Sequence, residues 1–273
     1  MKRRHSAHLQ KMSILCGLLL LMSAPRLLMG EPTPAAVSAF NSYSNAVEAR
    51  LAQQHRSPNT FLAPPASDPE DVRIHLRKGE LIIEKLTPST DANFPGALLH
   101  HWRGTAFAPG AKATDFERLV RDFNSYPQHF SPQVLQAKVL TEGGDRMQAW
   151  MRVRQKHVIT VVMDTTYDIT FGQLDAQDGY SISASTRIAE IEAPGTDAER
   201  TLSANEDHGF LWRLNTYWSY AERDGGLYLQ IEAISLTRSI PRGVGWAVQP
   251  YVEIIPRDSL EFTLRSACNA LRK

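Results

Sequence analysis

The sequence predicts an α+β protein in which a long antiparallel sheet is closed by one C-terminal helix. Three observations predict it. Between residues 97 and 238, at least five long segments alternate apolar and polar side chains with period two, as strands with one dry and one wet face do. Asp224-Gly225 separates two such segments and is a strong hairpin turn, because glycine tolerates positive φ freely and aspartate better than most residues. After the last strand, Leu260, Leu264, Ala267 and Leu271 form a helical stripe that something apolar must cover.

Residues 1–30 read as an address, in order of basic, apolar and small residues. Met1–Lys11 is basic, Met12–Met22 is apolar, and Ser23, Ala24, Pro25 and Gly30 are small or helix-breaking. That is the layout of a secretory signal peptide, and the apolar run is shorter than the roughly 20 residues a membrane span needs. An uncleaved N-terminal anchor over Met12–Met29 is the alternative. The first 30 residues hold five basic and no acidic side chains, so the other 25 basic residues face 29 acidic ones, a net of −4. A mildly acidic body is a poor partner for nucleic acid, which needs clustered Lys and Arg. The only cysteines are Cys16 and Cys268, so an exported chain without a disulfide framework is expected in a bacterial periplasm. Cys268 falls in the final helix and reads as an inert packing thiol.

Residues 31–95 read as an extension. Phe40, Tyr43, Val47 and Leu51 recur at helical spacing within 34–55. The Pro-, Ser- and Asp-rich stretch 57–70 reads as a linker, residues 72–86 as a small hairpin turning at Lys78-Gly79, and 87–95 as a connector. The main domain then runs over 96–273. Residues 97–106 predict a strand. Residues 112–123 predict an amphipathic helix with Phe116, Leu119, Val120 and Phe123 on one face, opened by Thr114 and Glu117 at capping-box spacing. Pro127 and Pro132 break it. Strands follow over 133–141, 146–155 and 158–171, with 180–192 a more polar strand near an edge. In the 209–238 hairpin, the Asp224-Gly225 turn pairs Arg223 with Gly226, and so Trp218 with Ile231, Leu214 with Ser235 and Trp212 with Thr237. Arg213, Tyr217, Gln230, Glu232 and Arg238 fall on the opposite, wetter face, where Ile234 and Leu236 are out of character. Pro256 suits the first turn of the C-terminal helix.

The order of helix, break, long strands and one final helix resembles the START-like superfamily, also called SRPBCC or polyketide cyclase/dehydrase and lipid transport. The stretches that carry the resemblance are DFERLVRDFNSYPQHFSP at 115–132 and the segment from Asp207 to Arg265, which is similar to exported bacterial members of unassigned activity. The resemblance implies a helix-grip fold, with a curved sheet holding the C-terminal helix and a cavity for an apolar ligand between them. It covers residues 96–272 and carries no catalytic motif.

Chemistry-bearing motifs are sparse. There is no HExxH, zinc spacing, GxSxG, P-loop or dinucleotide fingerprint, so no catalytic residue, metal or cofactor is assigned. Glu206-Asp207-His208 reads either as a solvated loop or as a general base with its orienting acid. Arg213, Glu232 and Arg238 read either as a cross-strand ion network or as an anionic head-group site. Met151, Met163, Tyr167, Trp212, Leu214, Trp218 and Ile231 are placed on inner faces, as core or as pocket lining. Methionine adapts to irregular apolar shapes, and Trp and Tyr add a polar anchor. With the resemblance, these seven become the candidate ligand-binding residues for a lipid, isoprenoid or polyketide-like molecule, with transient membrane contact as a possible accompaniment. The rivals are a cyclase or hydrolase pairing Tyr167 with His157, and a filled-core interaction protein working through residues 31–95 and Trp150.

Overall fold

A computed structural model describes residues 30–88, 94–156, 159–240 and 245–272, with backbone alone over 245–253. Residues 1–29, with Cys16 and most of the stretch read as an address, lie outside the described residues. Helix α1 (Pro34–Gln54) and α2 (Pro69–Arg77) come first. Strands β1 (Ile82–Lys85) and β2 (Ala97–Pro109) precede α3 (Ala113–Arg121). A 3-10 turn (Phe123–Ser125) and the short α4 (Tyr126–His129) lead into β3 (Val134–Gly143). Then come β4 (Arg146–Lys156), β5 (Thr160–Gln173), β6 (Asp178–Glu192) and the two-residue β7 (Arg200–Thr201). Strands β8 (Arg213–Arg223) and β9 (Gly226–Arg238) are followed by α5 (Gly245–Leu271).

All strand pairs are antiparallel, in the order β1-β2-β9-β8-β6-β5-β4-β3, with β7 on β6. The architecture is the α+β helix-grip arrangement, a curved sheet holding a long C-terminal helix. The β8–β9 register is the one the turn chemistry predicts: Arg223 opposes Gly226, Trp218 opposes Ile231 and Leu214 opposes Ser235. Asp224 and Gly225 both have positive φ, 57° and 75°, as a primed hairpin turn requires.

Several expectations are corrected. Residues 72–86 are not a hairpin. Asp68 caps α2 by accepting from Glu70 N at 2.8 Å, Pro69 takes the first helical position, where its missing N–H costs nothing, and Val72 and Leu76 bury one helical face. The chain then turns through Gly79, at φ 84°, into β1. Helix α3 opens through Asp115, whose Oδ2 accepts from Lys112 N at 3.2 Å, rather than through Thr114 and Glu117. Strand β6 is interior, between β5 and β8. Helix α5 begins at Gly245, so Pro256 lies inside it rather than at its start. A helix held by packing at Leu260, Leu264, Ala267 and Leu271 tolerates the donor that proline lacks.

The largest correction concerns the sheet's outer face, the side away from α5. Over β2, β9 and β8 this face is covered, not wet. Helix α1 buries Ala36, Phe40, Val47 and Leu51 against Leu99, Tyr217, Ile234 and Leu236. Helix α2 buries Val72 and Leu76 against Phe107 and Tyr228. Residues 31–95 therefore supply an edge strand and the outer layer of the same sheet.

Candidate functional site

The inner face, against α5, is packed in two ways along its length. At one end Leu260, Leu264, Ala267 and Leu271 meet Ala106, Ala108, Leu227 and Leu229, all buried. Gly104 allows this approach: a Cβ there would lie 2.4 Å from Leu264 Cδ1. Helix α3 closes this end, with Phe116 edge-on to Trp218 at 5.0 Å and to Tyr220 at 5.1 Å. Elsewhere on the same face Trp102, Met151, Leu214 and Ala233 are only partly buried, although they belong to the apolar inner layer. Small polar residues lie beside them in register. Ser183 opposes Thr216, and Ser185 Oγ accepts from Leu214 N at 2.9 Å. The Trp102 indole N–H is buried and has no hydrogen-bond partner among the described residues. An unpaired buried donor costs free energy unless something accepts from it.

Of the seven candidate ligand residues, Tyr167, Trp218 and Ile231 sit in the inner core, and Met151 and Leu214 pack partly buried against it. Met163 is buried, opposite Val153 on β4. Trp212 is corrected: it joins the outer cluster with α1 and donates from Nε1 to Gly30 O at 2.9 Å. The physical reason is that β8 begins only at Arg213, so strand alternation does not extend to Trp212. Trp102 was missed. It lies within the strand expected over 97–106, and its alternation with Gly104 and Ala106 was the available signal. Burial pushes the Tyr167 hydroxyl up to about 12, so it stays a phenol at neutral pH. His157, its suggested partner, lies outside the described residues. Burial likewise pushes the Cys268 thiol up to about 11, consistent with packing rather than reactivity.

Two polar clusters lie away from the inner face. In the first, Glu232 is buried and accepts from Arg50 Nη2 and from His101 Nε2, the latter at 3.0 Å. His101 Nδ1 then accepts from Tyr43 OH at 2.8 Å, the tautomer its bond to the carboxylate favours. Burial acts to raise the Glu232 carboxyl, but the His101 bond and the Arg50 charge outweigh it and hold the group below its usual range. Glu232 is thus part of a buried pin between α1 and the sheet. In the second cluster, the loop residues Asp207 and His208 meet Glu190 of β6. His208 Nδ1 donates to Glu190 Oε2 at 2.7 Å. Asp207 accepts from Gly209 N at 2.6 Å, and burial together with the Glu190 charge pushes it up to about 7. Among the described residues, no group of three His, Cys, Asp or Glu is arranged to hold a metal ion, and no helix is long and apolar enough to cross a membrane.

No family model matches the chain, and no curated protein matches it. Solved structures do. A STAR-related lipid transfer protein from Xanthomonas axonopodis is similar at 18% identity and TM-score 0.42, over 70% of this chain and 99% of its own. Human STARD10 is similar at 9% identity and TM-score 0.41, over 74% and 80%. The Zhui aromatase/cyclase from Streptomyces sp. R1128 is similar at 14% identity and TM-score 0.38, over 64% and 97%.

Proposed function

We propose that this protein binds a small hydrophobic molecule on the inner face of the sheet, beside α5, after export directed by its N-terminal leader. The observation that carries this reading is the partly exposed apolar surface at Trp102, Met151, Leu214 and Ala233, next to a buried Trp102 N–H without a partner. An apolar body covering those side chains gains burial free energy, at about 25 cal/mol per Å² removed from water. One acceptor on that body satisfies the indole and fixes its orientation, as the few polar groups of an apolar pocket do. Ser183, Ser185 and Thr216 leave room by being small. The molecule is of the lipid, isoprenoid or polyketide class, and the chain acts as its carrier.

Native mass spectrometry of the purified protein, followed by organic extraction, tests this. A stoichiometric apolar adduct is expected, and Ala233→Trp, which fills the partly exposed face, is expected to remove it. A clean unliganded mass, with no uptake of added lipids, overturns the carrier reading and favours a protein that works through its surface.

A further inference from the structure

The outer face carries a cleft of about 480 Å³ between α1, the segment around Ala63 and β2. Its floor and walls are of two kinds. Ala46, Val47 and Leu86 are apolar, whereas Arg50 and Arg103 are cationic and His101 is polar, and no acidic residue lines it. Each acid nearby already has one oxygen held by a basic side chain. Glu232 is held by Arg50 and His101, and Glu84 accepts from Arg103 Nε at 2.9 Å.

Arg103 is the informative residue. Its side chain is 10% exposed. Nε is taken by Glu84, and Nη2 donates to Pro64 O at 3.0 Å. Nη1 makes no hydrogen bond among the described residues; it faces the unbonded Glu232 Oε1 across 4.0 Å, too far for a hydrogen bond. Arg50, half exposed at the cleft's rim, also has more N–H groups than its bonds to Gln54 and Glu232 use. Two guanidinium groups with spare donors, set in an apolar wall, are a carboxylate receptor in their chemistry.

We propose that this cleft is a second binding site, on the face opposite the α5 groove, for a small molecule carrying one carboxylate on an apolar body. The carboxylate accepts from Arg103 and Arg50, and the apolar body lies along Ala46, Val47 and Leu86. The site does not depend on the inner-face carrier reading.

Methyl NMR of the full-length protein, titrated with octanoate and separately with octylammonium, tests this. Octanoate is expected to shift the methyl signals of Ala46, Val47 and Leu86 saturably, and octylammonium to leave them in place. Arg50→Gln is expected to weaken octanoate about tenfold, the scale of one charge-assisted hydrogen bond. Ala46→Phe sits on an exposed helix position, leaves the ion pairs intact and fills the cleft, so it is expected to remove the shifts. The proposal is overturned if octanoate moves only inner-face methyls such as those of Leu214 and Ile231. It is equally overturned if octylammonium moves the same α1 signals, or if Ala46→Phe leaves the octanoate response unchanged.

Discussion

The hairpins β4–β5 and β8–β9 present the same kind of inner face and opposite kinds of outer face. Both send aromatic and aliphatic residues inward: Met147, Ala149, Tyr167 and Ile169 from one, Trp218, Leu229 and Ile231 from the other. Outward, β4–β5 carries Gln148 bonded to Asp168 at 3.0 Å and Arg152 bonded to Asp164 at 2.7 Å, with nothing apolar packed over them in the buried clusters. Strands β8 and β9 carry Tyr217, Ile234 and Leu236 outward under α1, with Glu232 buried among them. The difference teaches that an interrupted wet face, two apolar residues among charges, marks where a second layer lands.

If the outer face of β8–β9 is a true core, breaking its pin has the largest effect. Glu232→Ala strands Arg50 and His101 and is expected to cost about 3–5 kcal/mol, read from urea unfolding. Ile234→Ala, at a fully buried position, is expected to cost about 2–5 kcal/mol. A loss below about 1 kcal/mol in both would show that α1 contributes little to the sheet.

The pin also carries a pH signature. The Glu232 carboxyl is depressed in the folded state, so its contribution is full above the unfolded value near 4.5 and is lost as pH falls through the folded value. Glu232→Gln is expected to flatten the acid limb of the stability curve below that point. An unchanged limb would remove Glu232 from the acid response. Asp207 has the opposite sign. It is raised from near 3.8 to about 7, so the folded state binds more protons between those values and loses stability as pH rises across them. Asp207→Asn keeps the acceptor for Gly209 and removes a like charge beside Glu190. It is expected to raise Tm at pH 8 and leave it nearly unchanged at pH 5. An equal rise at both pH values would mean that Asp207 is ionised throughout.

The smallest effect belongs to the wet hairpin. Asp168→Asn, on an exposed position of β5, is expected to change stability by less than about 0.5 kcal/mol. A cost comparable with that of Glu232→Ala would erase the contrast between the hairpins.

The sequence by itself determined the local structure: the long strands, the Asp224-Gly225 turn with its register and the apolar stripe of α5; the helix-grip class came from the resemblance that their order carries. Each is written in spacing or turn chemistry within one element. It also placed Tyr167, Trp218 and Ile231 correctly on the inner face. It did not tell full from partial burial, because the exposure left at Met151 and Leu214 depends on what the neighbouring strands and α5 leave uncovered. It misplaced Trp212, since where strand alternation stops is set by pairing with β9. It left 31–95 as an extension, because the partner of the Phe40, Val47 and Leu51 stripe is a face formed by residues some 180 positions later. Only the tertiary structure brought Tyr43, Arg50, His101 and Glu232 together. Tyr43 and Arg50 lie seven residues apart on α1, whereas His101 and Glu232 come from β2 and β9, and no local period encodes the contact between helix and strands.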